Sequence, residues 1–158
     1  MNKEDYMLVA LQEAKEAYKE DEVPIGCVIV KDGEIIAKAH NHKEQKQDPT
    51  CHAEMECIRA AVRKLGNWHL DDCALYVTLE PCIMCAGSII NARIKEVYYG
   101  AADPKGGAFG SNMDITLVKQ LNHYPYYEGQ LLQAECSAIL KDFFRNKRNN
   151  KNKKDEGQ

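Results

Sequence analysis

Two short stretches carry the residue types that can do chemistry. One is His52-Ala53-Glu54 within "CHAEME", and the other is Pro81-Cys82-Ile83-Met84-Cys85, "PCIMC". Two cysteines three apart admit three readings on their own: a metal site, a redox pair, or core packing, because Cys is among the most frequently buried residues. His52 and Glu54 narrow that choice. Inside a regular helix, residues two apart point to roughly opposite sides and could not share a task. In the first turn of a helix both side chains can reach past its end, and the local sequence places both stretches at helix starts. Cys82 and Cys85, at i and i+3, face one side and can share an ion. Two thiolates and one imidazole make three ligands, so tetrahedral Zn2+ keeps an open fourth position, as catalytic zinc sites do.

Charge counting gives Glu54 its role. Zn2+ with two thiolates is formally neutral and acidifies water less than a site of three neutral histidines would. A carboxylate that is not itself a ligand can then take the proton. His52, Cys82 and Cys85 are therefore expected to bind one zinc per chain, with Glu54 as the catalytic group. The positive ends of two helix dipoles would favour the thiolates. Cys27, Cys51, Cys57, Cys73 and Cys136 read as core residues, although Cys51 adjoins a proposed ligand. His40, His42, His69 and His123 have no ligand-like companion in the sequence.

The elements that must position these residues follow from pattern. Met7, Ala10, Leu11, Ala14, Ala17 and Tyr18 recur at helical spacing between Glu4 and Lys19. Two β-rich runs, 25–30 and 34–39, flank Asp32-Gly33, which predicts a hairpin. "HKEQKQDPT" reads as a polar loop, and Asp48-Pro49-Thr50 as the approach to a helix whose apolar face is Ala53, Cys57, Ala61 and Leu65 and which ends at Gly66-Asn67. A strand is expected over 74–79, a helix with Pro81 in its first turn running through "CAGSIINA", and a strand over 96–100. A Gly-rich loop covers 101–112. A short helix over 114–121, a strand within "HYPYYEG" and a helix over 131–147 complete the order α-β-β-α-β-α-β-α-β-α. Strands alternating with helices after a hairpin predict a three-layer α/β/α fold with a mixed central sheet of about five strands flanked by helices.

At 158 residues the chain fits one domain, expected over 1–148, followed by a basic, disordered tail over 149–158. The formal net charge of −3 makes no general case for nucleic acid. The charge is unevenly placed, however: Lys141, Arg145, Lys147, Arg148, Lys151, Lys153 and Lys154 face the single acid Asp142 in that stretch. No run approaches the roughly 18 apolar residues that a membrane-spanning helix needs. The N-terminal "MNKEDYMLVA" lacks a signal-peptide pattern, and seven cysteines is an odd number, so reduced thiols and a cytoplasmic location are expected.

His-x-Glu followed by Pro-Cys-x-x-Cys is the signature of the zinc nucleobase deaminases. The wider sequence resembles the bacterial tRNA-specific adenosine deaminase family of the cytidine deaminase-like superfamily. The likeness runs from "EVPIG" through "LYVTLEPCIMCAGSIINARI" and "VYYGAADPKGGAFGS" to "LKDFFRNKR". "DPKGGAFGS" and "DFFRNKR" point to the tRNA enzymes within the superfamily. The resemblance implies a cytidine deaminase-like fold and hydrolytic deamination of the wobble adenosine to inosine in a tRNA anticodon stem-loop. Water activated at zinc would attack adenine C6, with Glu54 as proton shuttle. It also implies a homodimer. Asn41 would hold the flipped base, Asp103 and Lys105 would touch neighbouring nucleotides, and Phe144 would offer an aromatic surface.

Two other functions fit parts of the pattern. A deaminase of a free base or nucleoside, such as guanine or cytidine, would share the zinc motif but have little use for the basic end. A non-catalytic RNA-binding module with structural zinc would need a fourth protein ligand and no spare carboxylate.

Overall fold

The computed structural model describes residues 1–156, with side chains described to residue 153. Its helices are α1 (Lys3–Lys19), α2 (Lys43–Lys46), α3 (Ala53–Leu65), α4 (Ile83–Asn91) and α5 (Gln133–Glu156), and its strands β1 (Gly26–Lys31), β2 (Glu34–His40), β3 (Cys73–Leu79), β4 (Glu96–Ala101) and β5 (Tyr126–Glu128). The strand order is β2-β1-β3-β4-β5. β1 runs antiparallel to both β2 and β3, whereas β3-β4 and β4-β5 are parallel. The expected mixed sheet of five strands is thus present.

Alternation along the strands sorts side chains into two cores. Cys27, Ile29, Leu75, Val77, Val97 and Tyr99 face one side, where they meet Cys57, Ile58 and Ala61 of α3 and Ala86, Ile89 and Ile90 of α4. Val28, Val30, Tyr76 and Tyr98 face the other, against Tyr6, Met7, Ala10 and Leu11 of α1 and Cys136 of α5. β1 is buried on both faces, which is why it reads as a continuous apolar run. Each fully buried Ile, Leu or Val contributes about 1.5–3 kcal/mol relative to exposure, so the first layer holds α3 and α4 on the sheet and the second holds α1 and α5.

Several boundaries differ from expectation for local reasons. The polar stretch after β2 contains the short helix α2, because the buried Glu22 carboxylate accepts the N–H groups of Glu44 (3.0 Å) and Gln45 (2.8 Å). Pro81 stands before the cap of α4 rather than in its first turn, since Cys82 is the extended N-cap. The short helix expected over 114–121 shrinks to a 3-10 turn, Ile115–Leu117, capped by Asp114. The stretch expected as a tail from 149 shows no break: α5 continues to Glu156, with no Gly or Pro in the way, and residues 157 and 158 lie outside the described residues. Among the described residues, no helix is long and apolar enough to cross a membrane.

Candidate active site

α3 and α4 both begin beside the β1-β3 end of the sheet, and their N-caps are His52 (φ −69°, ψ 156°) and Cys82 (φ −75°, ψ 176°). Neither side chain caps its own helix. Each is extended backbone whose side chain is left free for another task. His52 Nδ1 lies 3.6 Å from Cys82 Sγ and 3.5 Å from Cys85 Sγ. Zn–S bonds of about 2.3 Å and Zn–N bonds of about 2.05 Å, at a tetrahedral angle, put such N and S atoms about 3.6 Å apart. The donor set and its spacing therefore suit zinc. His52, Cys82 and Cys85 form a group whose ligand atoms all lie within 4.8 Å of one another.

The electrostatics agree with that use. Donation from Cys85, and then from His52, lowers the Cys82 pKa to about 4, against the opposing effect of burial. Cys85, fully buried and donating to Cys82, is pushed upward. A divalent ion would favour the ionised form of both sulfurs. Glu54, in the first turn of α3, is only 4% exposed, and burial pushes its carboxyl up to about 7 despite the pull of its own backbone N–H and of His52. A carboxyl near 7 can both take and return a proton at neutral pH.

His52, Glu54 and Cys82 share one pocket of about 210 Å3, which Asn41, Lys43, Glu80 and Asp103 also line, while Cys85 is buried behind it. Asn41 is buried; its side-chain oxygen accepts from Lys43 N–H (3.1 Å) and its amide nitrogen donates to Val23 O (3.4 Å). Asp103 Oδ1 accepts from Lys105 N–H and Gly106 N–H, both at 3.1 Å, so this carboxylate starts the turn of the Gly-rich loop as well as facing the pocket. Lys105 is exposed on that loop and does not line the pocket. Phe144 is 44% exposed and lies in a neighbouring groove with Lys141, Arg145 and Arg148; Leu79 borders both groove and pocket. Phe143, its neighbour, is buried edge-on against Tyr18.

Sequence reading missed Glu80 and Lys43. Glu80 precedes "PC" directly and is 2% exposed. Its carboxylate accepts from the N–H groups of Asp103 (3.1 Å), Phe109 (3.0 Å) and Ser111 (3.2 Å) and from the Ser111 hydroxyl, and so gathers the Gly-rich loop around the pocket. Its position beside the cysteine motif was the only available signal. The five remaining cysteines are all buried, as expected; burial, then Glu56 and Asp48, pushes Cys51 up to about 11.

A sheet of this order, with a His-Cys-Cys group and a buried carboxylate at two helix N-termini, defines a deaminase fold. The MafB19-like deaminase family model matches residues 1–148, and the chain belongs to that family. Within it the chain is a member of the tRNA-specific adenosine deaminase family. It is 47% identical over 146 residues to the tRNA-specific adenosine deaminase of Bacillus subtilis (strain 168), covering 92% of this chain and 91% of that one. It is 48% identical over 150 residues to the enzyme of the same name from Aquifex aeolicus (strain VF5), covering 95% and 99%. Among solved structures, one from work on A-to-I editing by tRNA:A34 deaminases at the wobble position of transfer RNA matches with a TM-score of 0.81 and 44% identity, over 86% of this chain and 99% of that chain. The guanine deaminase of Bacillus subtilis matches with a TM-score of 0.63 and 39% identity, over 81% and 85%.

Proposed function

We propose that this protein hydrolytically deaminates adenosine to inosine at the wobble position of a tRNA anticodon stem-loop, in the cytoplasm and as a homodimer. The observation that carries this reading is the pocket where His52 and Cys82 of the His52-Cys82-Cys85 group meet the buried Glu54, bordered by a groove of aromatic and basic side chains. His52, Cys82 and Cys85 would hold one zinc per chain, which would supply a Lewis acid that makes water nucleophilic near neutral pH.

Glu54 takes a proton from the water that adds to adenine C6. It delivers that proton to N1 of the ring and then assists departure of the amino group, so that adenine and water become hypoxanthine and ammonia. Asn41, which lines the pocket, positions the base through its amide. Asp103 and Lys105 contact the flanking nucleotides from the Gly-rich loop, and Phe144 offers a stacking surface with Lys141, Arg145 and Arg148 beside it for phosphates. Residues 1–148 form the deaminase domain, and the basic residues beyond it extend the anion-attracting surface. Ile83, Leu117 and Val118 are large, apolar and exposed, and supply surface for a second copy to cover.

A deaminase of free guanine shares the fold. The basic groove favours RNA, because a free base offers neither phosphate nor neighbouring bases to bind. The test is to incubate the purified protein with an anticodon stem-loop bearing a wobble adenosine, beside free adenosine, cytidine and guanine, and to measure the products by mass spectrometry. Inosine in the RNA is the expected result. Deamination of free guanine with no change in the RNA would overturn the proposal.

A further inference from the structure

His40 and His42 have no companions in the sequence, but folding supplies them. β2 ends at His40, and the two residues that follow bring the His42 ring back beside that of His40, while Asn41 between them lines the active-site pocket. Two backbone bonds hold this segment: Asn41 N–H donates to Ile25 O (3.2 Å) and His42 N–H to Cys51 O (3.1 Å). The two imidazole rings lie 4.4 Å apart, centroid to centroid. Facing them at the C-terminal end of α1 is Glu20, whose Oε2 is 2.9 Å from His40 Nε2 and 3.6 Å from His42 Nε2. One ligand atom from each of Glu20, His40 and His42 lies within 4.8 Å of the other two.

Three features make this more than a surface ion pair. First, two N or O ligands at about 2.1 Å from a tetrahedral ion stand about 3.4 Å apart, and the observed 2.9 and 3.6 Å bracket that spacing. Second, His40 Nδ1 faces Glu13 Oε1 at 3.1 Å. A carboxylate on the far nitrogen fixes the tautomer that turns Nε2 toward the site, as outer carboxylates do for metal-ligating histidines. Third, His42 Nδ1 is buried without a hydrogen-bond partner, and its Nε2 is too far from Glu20 for a hydrogen bond, so among the described residues neither ring nitrogen is taken up by a hydrogen bond. Nearby lysines do not neutralise Glu20: Lys19 pairs with Glu16 and Lys46 with Glu56.

We propose that Glu20, His40 and His42 form a second metal site, distinct from the His52-Cys82-Cys85 group, that binds a divalent ion of the zinc, cobalt and nickel class. Two imidazoles and one carboxylate suit these borderline ions better than Mg2+ or Ca2+, which prefer oxygen alone. The Glu20 side chain is 36% exposed, which leaves room for water to complete the coordination. Glu13 acts as the positioning residue for His40. Asn41, one position from each histidine, lines the active-site pocket, so the ion would brace the strand end from which that side chain projects.

The test is titration of the purified full-length chain, with its tightly held metal retained, with Co2+ under calorimetry and optical absorption. One further ion per chain is expected, with the visible bands of nitrogen and oxygen coordination and without sulfur-to-cobalt charge transfer. Glu20→Gln and His42→Ala should each weaken this binding at least tenfold, whereas Cys82→Ser should leave it unchanged. Circular dichroism checks that the variants are folded, and Glu20→Gln, which keeps the side chain's shape, decides if His42→Ala is not. The proposal is overturned by the absence of saturable binding, by binding that survives Glu20→Gln, or by loss of binding in Cys82→Ser.

Discussion

The Glu80 carboxylate and the Gly107 backbone are packed so closely that no Cβ fits between them. A methyl group at position 107 would collide with the carboxylate that gathers the N–H groups of Asp103, Phe109 and Ser111. The Gly-rich loop is thus shaped around a buried charge next to the cysteine motif. Gly107→Ala is expected to displace the loop, raising KM for the RNA more than it lowers kcat. Glu80→Ala leaves three backbone donors without their acceptor and should cost roughly 2–4 kcal/mol of stability, measured by urea unfolding. Equal stability of wild type and Glu80→Ala would refute this account of the loop.

Substitution of Glu54 tests the proposed proton transfer apart from metal binding. Glu54→Gln keeps the size of the side chain but cannot move the proton, so activity on RNA should fall about a hundredfold to ten-thousandfold while the zinc held by the His52-Cys82-Cys85 group is retained. Paired turnover assays and metal analysis decide the point. Turnover within a few-fold of wild type would remove Glu54 from the mechanism.

Cys82 and Cys85 should behave as one unit with His52. Cys85→Ser or His52→Ala is expected to lose the zinc held by this group and all activity together. Chelation of the wild-type protein should lower its thermal midpoint, because ligand at a hundredfold its Kd stabilises the folded state by about 2.7 kcal/mol. A midpoint indifferent to chelator would mean that the group holds no ion.

The far end of the Gly-rich loop is tied by Asp114, whose carboxylate accepts from Thr116 N–H (3.0 Å) and the Tyr127 hydroxyl (2.7 Å). Burial alone would raise the Asp114 pKa, but bonds from Thr116 and Tyr127 hold it below the usual value. The same bond, with burial, pushes Tyr127 up to about 12. A depressed carboxyl pKa stabilises the fold above its unfolded value of about 4, and that contribution is lost as pH falls through the folded value. A raised phenol pKa stabilises below about 10 and its contribution is lost as pH rises toward 12. The stability difference between wild type and Tyr127→Phe should therefore be flat through neutral pH and shrink at both extremes. A difference that grows below pH 4 would contradict the pairing.

The parts of the fold legible from sequence were those set by short-range pattern. Apolar spacing located α1 and α3, and Asp32-Gly33, both at positive φ, marked the hairpin. The proximity of His52, Cys82 and Cys85 was legible because they sit at helix starts that the sequence itself marks. What escaped depends on partners distant along the chain. α2 forms because Glu22, more than twenty residues earlier, caps it. Glu80 organises a loop some thirty residues later. α4 starts one residue after Cys82 rather than at Pro81, and the Cys82 side chain at its cap turns toward His52, thirty residues earlier. None of these contacts leaves a periodicity to read.

The groove beside the pocket makes substrate choice testable without touching the chemistry. Phe144 is 44% exposed on α5, with its ring edge-on to buried Phe143, and Lys141, Arg145 and Arg148 line the same groove. Stacking of one base on an aromatic ring contributes about 1–3 kcal/mol, so Phe144→Ala should lower kcat/KM for the stem-loop by roughly 5- to 150-fold. Arg148→Ala should act differently, by removing one phosphate contact and making the salt dependence of RNA binding shallower by about 0.7 in log–log slope. Neither substitution touches the metal group or Glu54, so zinc content should be unchanged in both. The two effects separate stacking from charge: added salt should erase much of the Arg148→Ala defect relative to wild type and leave the Phe144→Ala ratio intact. If both variants processed the stem-loop like wild type, the RNA would have to enter the pocket by another face.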